Sequence, residues 1–205
     1  MPERNTHGNS TVGCFCRNFQ KIYRIADSEG LCADTVSSGE IYTALAAGFP
    51  PEKIYFHGNN KTVADLEYAV KSGVGVIIAD NLAELDDLDE ICAAENKTAS
   101  VVLRVTPGID PHTHVKISTG KVDSKFGSAI ETGQALEAVK YALAKKHIRL
   151  IGIHCHVGSQ SFDPQPFLDA ADIMMRFLAE RREKTGVTLS ELNLGGGFGV
   201  RYVPD

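Results

Sequence analysis

Short apolar runs alternate with longer amphipathic stretches through most of the chain. The apolar runs lie at 31–33 (LCA), 53–56 (KIYF), 74–79 (VGVIIA), 100–105 (SVVLRV), 151–153 (IGI) and 189–194 (LSELNL). They are brief and mostly branched, as strands covered on both faces are. Residues 12–15 read as a further strand stub. Residues 18–29 predict a helix with Phe19, Ile22, Tyr23, Ile25 and Ala26 on one side, stopped by Gly30. Ser37 and Glu40 have capping-box spacing for a helix reaching Ala47, and Thr62 and Asp65 repeat it for one reaching Lys71. An acidic helix to about Ala94, a helix over 130–146 and a long one over 165–184 complete the series. In the last, Phe167, Leu168, Met174, Phe177 and Leu178 recur at helical spacing.

Six strand–helix units predict a parallel sheet with helices outside it, an α/β fold. A polar residue follows each strand: Asp34, His57 with Asn59, Asp80, Arg104, His156 and Asn193. A doubly wound open sheet needs polar groups only at its switch point, whereas a barrel brings all its strand ends to one mouth. The expected architecture is therefore a TIM-like (β/α)8 barrel, incomplete because eight strands need about 250 residues. Residues 1–13 are expected to form an irregular lead-in and 14–205 a partial barrel domain. The longest irregular connection, 106–129, has the length of a loop that covers a site.

Bulk properties narrow the function. The 205 residues carry a formal charge of −5, and their 21 basic residues are scattered, which argues against a nucleic-acid partner. No apolar run approaches the ~20 residues that span a bilayer. The first residues lack a secretory apolar core. Five cysteines in no regular framework suggest reduced thiols and a cytoplasmic location. Cys14-x-Cys16 has neither redox nor zinc spacing, and no metal site is expected.

Candidate chemistry sits at three places. Gly195, Gly196 and Gly197 let backbone N–H groups turn toward an anion without a Cβ in the way, although a tight turn without ligand reads the same. His154 and His156, two apart on an extended segment, face opposite sides, so one packs or hydrogen-bonds structurally while the other points into the mouth, as a catalyst or as a satisfied core group. His112 and His114 lack metal-ligand partners at diagnostic spacing. Arg104, a buried guanidinium at a strand end, must be paired, with Asp34 or a ligand carboxylate as its expected partner.

Six segments together carry a family resemblance: 33–40 (ADTVSSGE), 56–62 (FHGNNKT), 104–108 (RVTPG), 112–127 (HTHVKISTGKVDSKFG), 154–160 (HCHVGSQ) and 193–199 (NLGGGFG). With them the chain resembles the barrel domain of the pyridoxal-phosphate-dependent amino-acid decarboxylases of the alanine-racemase-like fold, in their diaminopimelate decarboxylase branch. The resemblance implies pyridoxal 5'-phosphate as cofactor. It places His156 against the pyridine ring and Ser159 with Gly195, Gly196 and Gly197 at the phosphate. Asp34, His57, Asn59 and Arg104 would lie in the polar surroundings of the ring, and residues 125–127 would shape the mouth. The implied reaction converts meso-2,6-diaminopimelate to L-lysine and carbon dioxide, and a homodimer is the implied assembly.

The pattern departs from the family at its ends. The family's first strand ends in the lysine that forms the Schiff base, whereas 11–16 here reads TVGCFC and no lysine precedes Lys21. Lys61 belongs to another strand exit. The family's last barrel strand and its β-rich second domain are expected beyond residue 205. The expectation is a truncated or degenerate copy, impaired or inactive by itself. A non-catalytic cofactor-binding or regulatory homologue, or a related decarboxylase or racemase specificity, is the alternative.

Overall fold

A computed structural model describes residues 11–13, 20–109 and 127–202. The expectations for Cys14, Cys16, His112, His114 and residues 125–126 lie outside them. The chain divides into two units, Met1–Ile77 and Ile78–Asp205.

The first unit runs β1 (Thr11–Gly13), α1 (Gln20–Ser28), β2 (Cys32–Thr35), α2 (Ser38–Ala46), β3 (Ile54–Phe56) and α3 (Val63–Ser72). The first half of β4 (Val76–Ala79) closes it. Every strand pairing is parallel, with Gly13 opposite Cα partner Asp34, Asp34 opposite Tyr55, and Tyr55 opposite Val76. Of the strand stub read at 12–15, Val12 and Gly13 lie in β1, which begins at Thr11 inside the expected irregular lead-in, while Cys14 and Phe15 lie outside the described residues.

Capping chemistry sets the helix starts. The Thr62 hydroxyl accepts from the Asp65 N–H at 3.2 Å, and the Asp65 carboxylate accepts from the Thr62 N–H at 3.1 Å, completing a capping box. At α2, Ser37 accepts from the Glu40 N–H, but the Glu40 carboxylate reaches back to the N–H of Val36 rather than Ser37. Tyr23, Ile41, Ala44, Ile54, Phe56 and Leu66 form the core of this unit. The expected apolar face of α1 is narrower than predicted. Tyr23 and Ala26 are buried, but Ile22 and Ile25 are exposed. Each lies one residue before a buried position, about 100° round the helix. Gly75 is needed for packing: a Cβ there would stand 2.0 Å from the Glu52 carbonyl oxygen.

The second unit contains α4 (Leu82–Ala94), β5 (Ala99–Thr106), β6 (Ser128–Ala129), α5 (Gln134–Ala144), β7 (Ile148–His154), α6 (Gln165–Thr185) and β8 (Glu191–Asn193). β5 pairs in parallel with β7, from Ala99 opposite Ile148 to Arg104 opposite His154, with one extra β7 residue opposite Val101–Val102. β7 pairs with β8 and places His154 beside Asn193. Two-residue β6, which no hydrophobic run announced, pairs with the end of β5. β7 begins three residues before the apolar run at 151, because the exposed Arg149 alternates with buried Ile148 and Leu150. The helix expected over 130–146 is trimmed to α5, whose N-cap Gly133 adopts a φ of 81°. On α6 the buried stripe is Pro166, Ala170, Met174, Phe177 and Arg181, while Leu168 is exposed. Arg181 extends the stripe by laying its guanidinium 4.6 Å over the Phe177 ring. Among the described residues no helix is long and apolar enough to cross a membrane.

The α3 cap yields a direct test. T62A should lower unfolding free energy by about 1 kcal/mol in urea melts. The Asp65 carboxyl, held below its ordinary value first by the Thr62 hydroxyl, should titrate higher in the variant. An unchanged melt would show that the cap does not limit stability.

Candidate functional site

In the first unit, β2 and β3 end side by side, and their exits meet. Asp34 Oδ1 lies 3.2 Å from His57 Nε2, with both side chains largely buried. The His57 N–H donates to the Thr35 carbonyl at 2.7 Å, and the Thr35 hydroxyl donates to the Tyr55 carbonyl, so the pair is held by both backbones. Asn59 is exposed in the turn that follows. The Lys61 ammonium is engaged locally, donating to the Gly58 carbonyl and lying 5.6 Å over the Phe56 ring.

In the second unit Arg104 is paired, but with a different carboxylate from the one expected. Asp80, at the exit of β4, holds Oδ1 3.6 Å from the guanidinium, and its Oδ2 accepts from the Gly127 N–H at 3.4 Å. Asp34 is instead the partner of His57. Burial pulls the Arg104 guanidinium below its ordinary value, and Asp80 opposes this. Gly127 could not be another residue, since a Cβ there would stand 2.8 Å from the Arg104 carbonyl oxygen at a φ of +69°.

β7 ends at His154, which is buried at 4% exposure, and the chain leaves the strand before half-buried His156. The two histidines therefore differ because one ends the strand and the other stands beyond it. Between them Cys155 is fully buried, and burial pushes its thiol up to about 12.

The glycine run after β8 is laced to this segment. The Gly195 N–H donates to Asn193 Oδ1 at 2.8 Å, which turns the chain at the strand exit. Gly195 has a φ of +74°, and a Cβ there would meet His156 Nδ1 at 2.8 Å. Gly197 has a φ of +109°, and its Cβ would stand 1.8 Å from the Gly158 carbonyl oxygen and 3.2 Å from the Ser159 Cα. Gly196 faces open space, with nothing within 4 Å of a Cβ position. Beyond the run, the Ser161 N–H donates to the Gly197 carbonyl and the Gly199 N–H to the Ser161 carbonyl, at 3.0 and 2.7 Å. The structure thus brings His156, Ser159 and Gly195–Gly197 together.

Comparison with known proteins agrees with this architecture. The family model described as "Pyridoxal-dependent decarboxylase, pyridoxal binding domain" matches residues 13–205. The chain belongs to this family. Diaminopimelate decarboxylase of Bacillus methanolicus is 48% identical over 184 residues, covering 90% of this chain and 43% of the relative. That of Bacillus subtilis is 46% identical over 184 residues, with 90% and 42% covered. The crystal structure of diaminopimelate decarboxylase from M. jannaschii in complex with L-lysine superimposes with a TM-score of 0.85 at 34% identity, covering 98% of this chain and 46% of that one. The chain therefore spans less than half the length of these relatives, and has the α/β fold of part of a TIM-like barrel.

Two features of this pyridoxal-binding domain escaped the sequence reading. Asp80 was visible as a polar strand exit, but nothing in its spacing announced Arg104 as its partner. The Gln160 side chain is bonded to the backbone of Val200, and no local signal predicts a contact across 40 residues.

Cys155 provides a check on site burial. A thiol reagent at pH 8 should leave Cys155 unmodified in the folded chain and label it after denaturation. Because its folded value lies above the ordinary 9.0, the unfolded chain gives up this proton first, so stability should fall as pH rises from about 9 toward 12, at most by roughly 1.4 kcal/mol per unit. Rapid labelling of native Cys155 would contradict this packing.

Proposed function

We propose that this chain forms the cofactor-holding part of a diaminopimelate decarboxylase, acting on a small amino-acid substrate in the cytoplasm. In the complete enzyme meso-2,6-diaminopimelate is converted to L-lysine and carbon dioxide. The relatives' names and the L-lysine bound in the M. jannaschii structure support this substrate. Assembly as a homodimer and the absence of nucleic-acid or membrane partners belong to the same reading.

The observation that carries it is the interlock of Gly195–Gly197 with the HVGSQ segment. The residues present fit a phosphate: two glycines hold positive φ where any Cβ would clash, and the third is open toward solvent. Gly196 and Ser159 would supply N–H and hydroxyl donors to the phosphate. His156, beside Gly195, would lie against the pyridine ring. The family resemblance, rather than the geometry, assigns Arg104, Asp34, His57 and Asn59 to the polar surroundings of the ring. Bound pyridoxal phosphate supplies an electron sink for the α-carbon as carbon dioxide leaves. The protein's share is to hold ring and phosphate and to orient the substrate carboxylate.

As a 205-residue polypeptide the chain is expected to hold this cofactor without turning substrate over, because residues 11–16 carry no lysine and Lys61 is bonded to Gly58. That observation favours a second reading, a cofactor-binding homologue without its own catalysis. Equilibrium binding of pyridoxal phosphate should be saturable and weakened roughly tenfold or more by G197A, the cost of one strained backbone position. Carbon dioxide release from labelled meso-diaminopimelate should stay at background. Release above background would overturn the inactivity, and absence of saturable binding would overturn the cofactor assignment.

A further inference from the structure

We propose that Gln160 is a positioning residue for the glycine run, a clamp that holds the exit of Gly195–Gly197 in the form that presents Gly196. The inference rests on the phosphate reading of that run. The Gln160 primary amide carries an NH2 group and a carbonyl oxygen, so it can meet a peptide C=O and N–H at once. Gln160 Nε2 donates to the Val200 carbonyl at 3.3 Å, and the Val200 N–H donates to Gln160 Oε1 at 2.9 Å. The next residue, Ser161, makes the reciprocal backbone bonds to Gly197 and Gly199 and forms a parallel bridge with Phe198. The side chain thus extends by one rung a ladder that the backbone alone would end.

The backbone of Gln160 is itself held in the left-handed region, at a φ of +56°, and among the described residues Asn96 is the one other non-glycine residue there. Such a position is disfavoured for a side-chain-bearing residue and persists where surroundings determine it. With Asn193 fastening the entry of the run through the Gly195 N–H, both ends are fixed and Gly196 lies between them. Gln160 and Val200 are both exposed, so losing their amide bonds should act on the loop more than on global stability.

Three variants separate clamp from bulk effects. Q160A removes the amide. Q160G also removes the backbone strain. Q160E keeps an acceptor for Val200 N–H but sets a carboxylate oxygen against the Val200 carbonyl. All three should weaken pyridoxal phosphate binding about tenfold, the effect of losing one to two hydrogen bonds. Affinity for phosphate-free pyridoxal and the melting temperature should hardly change. Hydrogen exchange at the Gly199 and Val200 amides should rise about tenfold in each, by the same loss. Wild-type affinity and wild-type exchange in Q160A would overturn the clamp, and Q160E decides in the same way if Q160A fails to fold. If the wild-type chain binds no pyridoxal phosphate, the cofactor reading falls, and the exchange measurement alone upholds or overturns the clamp.

Discussion

Two loops that leave parallel strands 39 residues apart in sequence, Cys155 to Leu194, approach so closely that side chains are excluded between them. The constraint is steric before it is chemical: the Gly158 carbonyl occupies the space a Gly197 Cβ would need, and His156 occupies that of Gly195. Backbone bonds from Ser161 to Gly197 and Gly199 then become possible at 2.7–3.0 Å. The β7–β8 pairing sets this approach in motion, since Gly152, with Glu191 pressed over its missing Cβ, lets the two strands run in register to His154 and Asn193. What remains open is Gly196, and an anion is the ligand class such a backbone can take.

Electrostatics around the strand ends follow from the cost of burying charge. Arg104 and Asp80 are each too buried to stand alone and face each other at 3.6 Å, with Asp80 also accepting from the Gly127 N–H. In the first unit the Asp34 carboxylate lies against His57, 3.2 Å from its Nε2. Cys155 takes the opposite route and stays a neutral thiol, its proton retained by burial with Arg104 opposing. Arg104 is thus paired with Asp80 at its strand end, and the residue between the two histidines is chemically quiet.

Much of the fold could be read from the chain. Short branched runs ending at Asp34, His57, Arg104 and His156 predicted parallel strands, and Ser37 and Thr62 marked helix starts with local chemistry that the structure shows directly. Patterns failed where a long-range contact decided the outcome. Ile22, Ile25 and Leu168 look like core in a helical wheel, but the covered stripe lies on a narrower arc, and Arg181 is buried because a planar guanidinium can lie on Phe177. The partner of Arg104 was misassigned because two aspartates follow strands in the same way and only the tertiary fold distinguishes them. Gly195 and Gly197 were legible as a loop without side chains, but the atoms that forbid those side chains belong to residues some forty positions earlier.

A crystal structure of the chain grown with pyridoxal phosphate tests the central claim most directly. The phosphate should lie within hydrogen-bonding distance of the Gly196 N–H and the Ser159 hydroxyl, with the ring beside His156 and the 195–200 backbone unchanged. A phosphate bound elsewhere, or a glycine run rearranged away from HVGSQ, would contradict it.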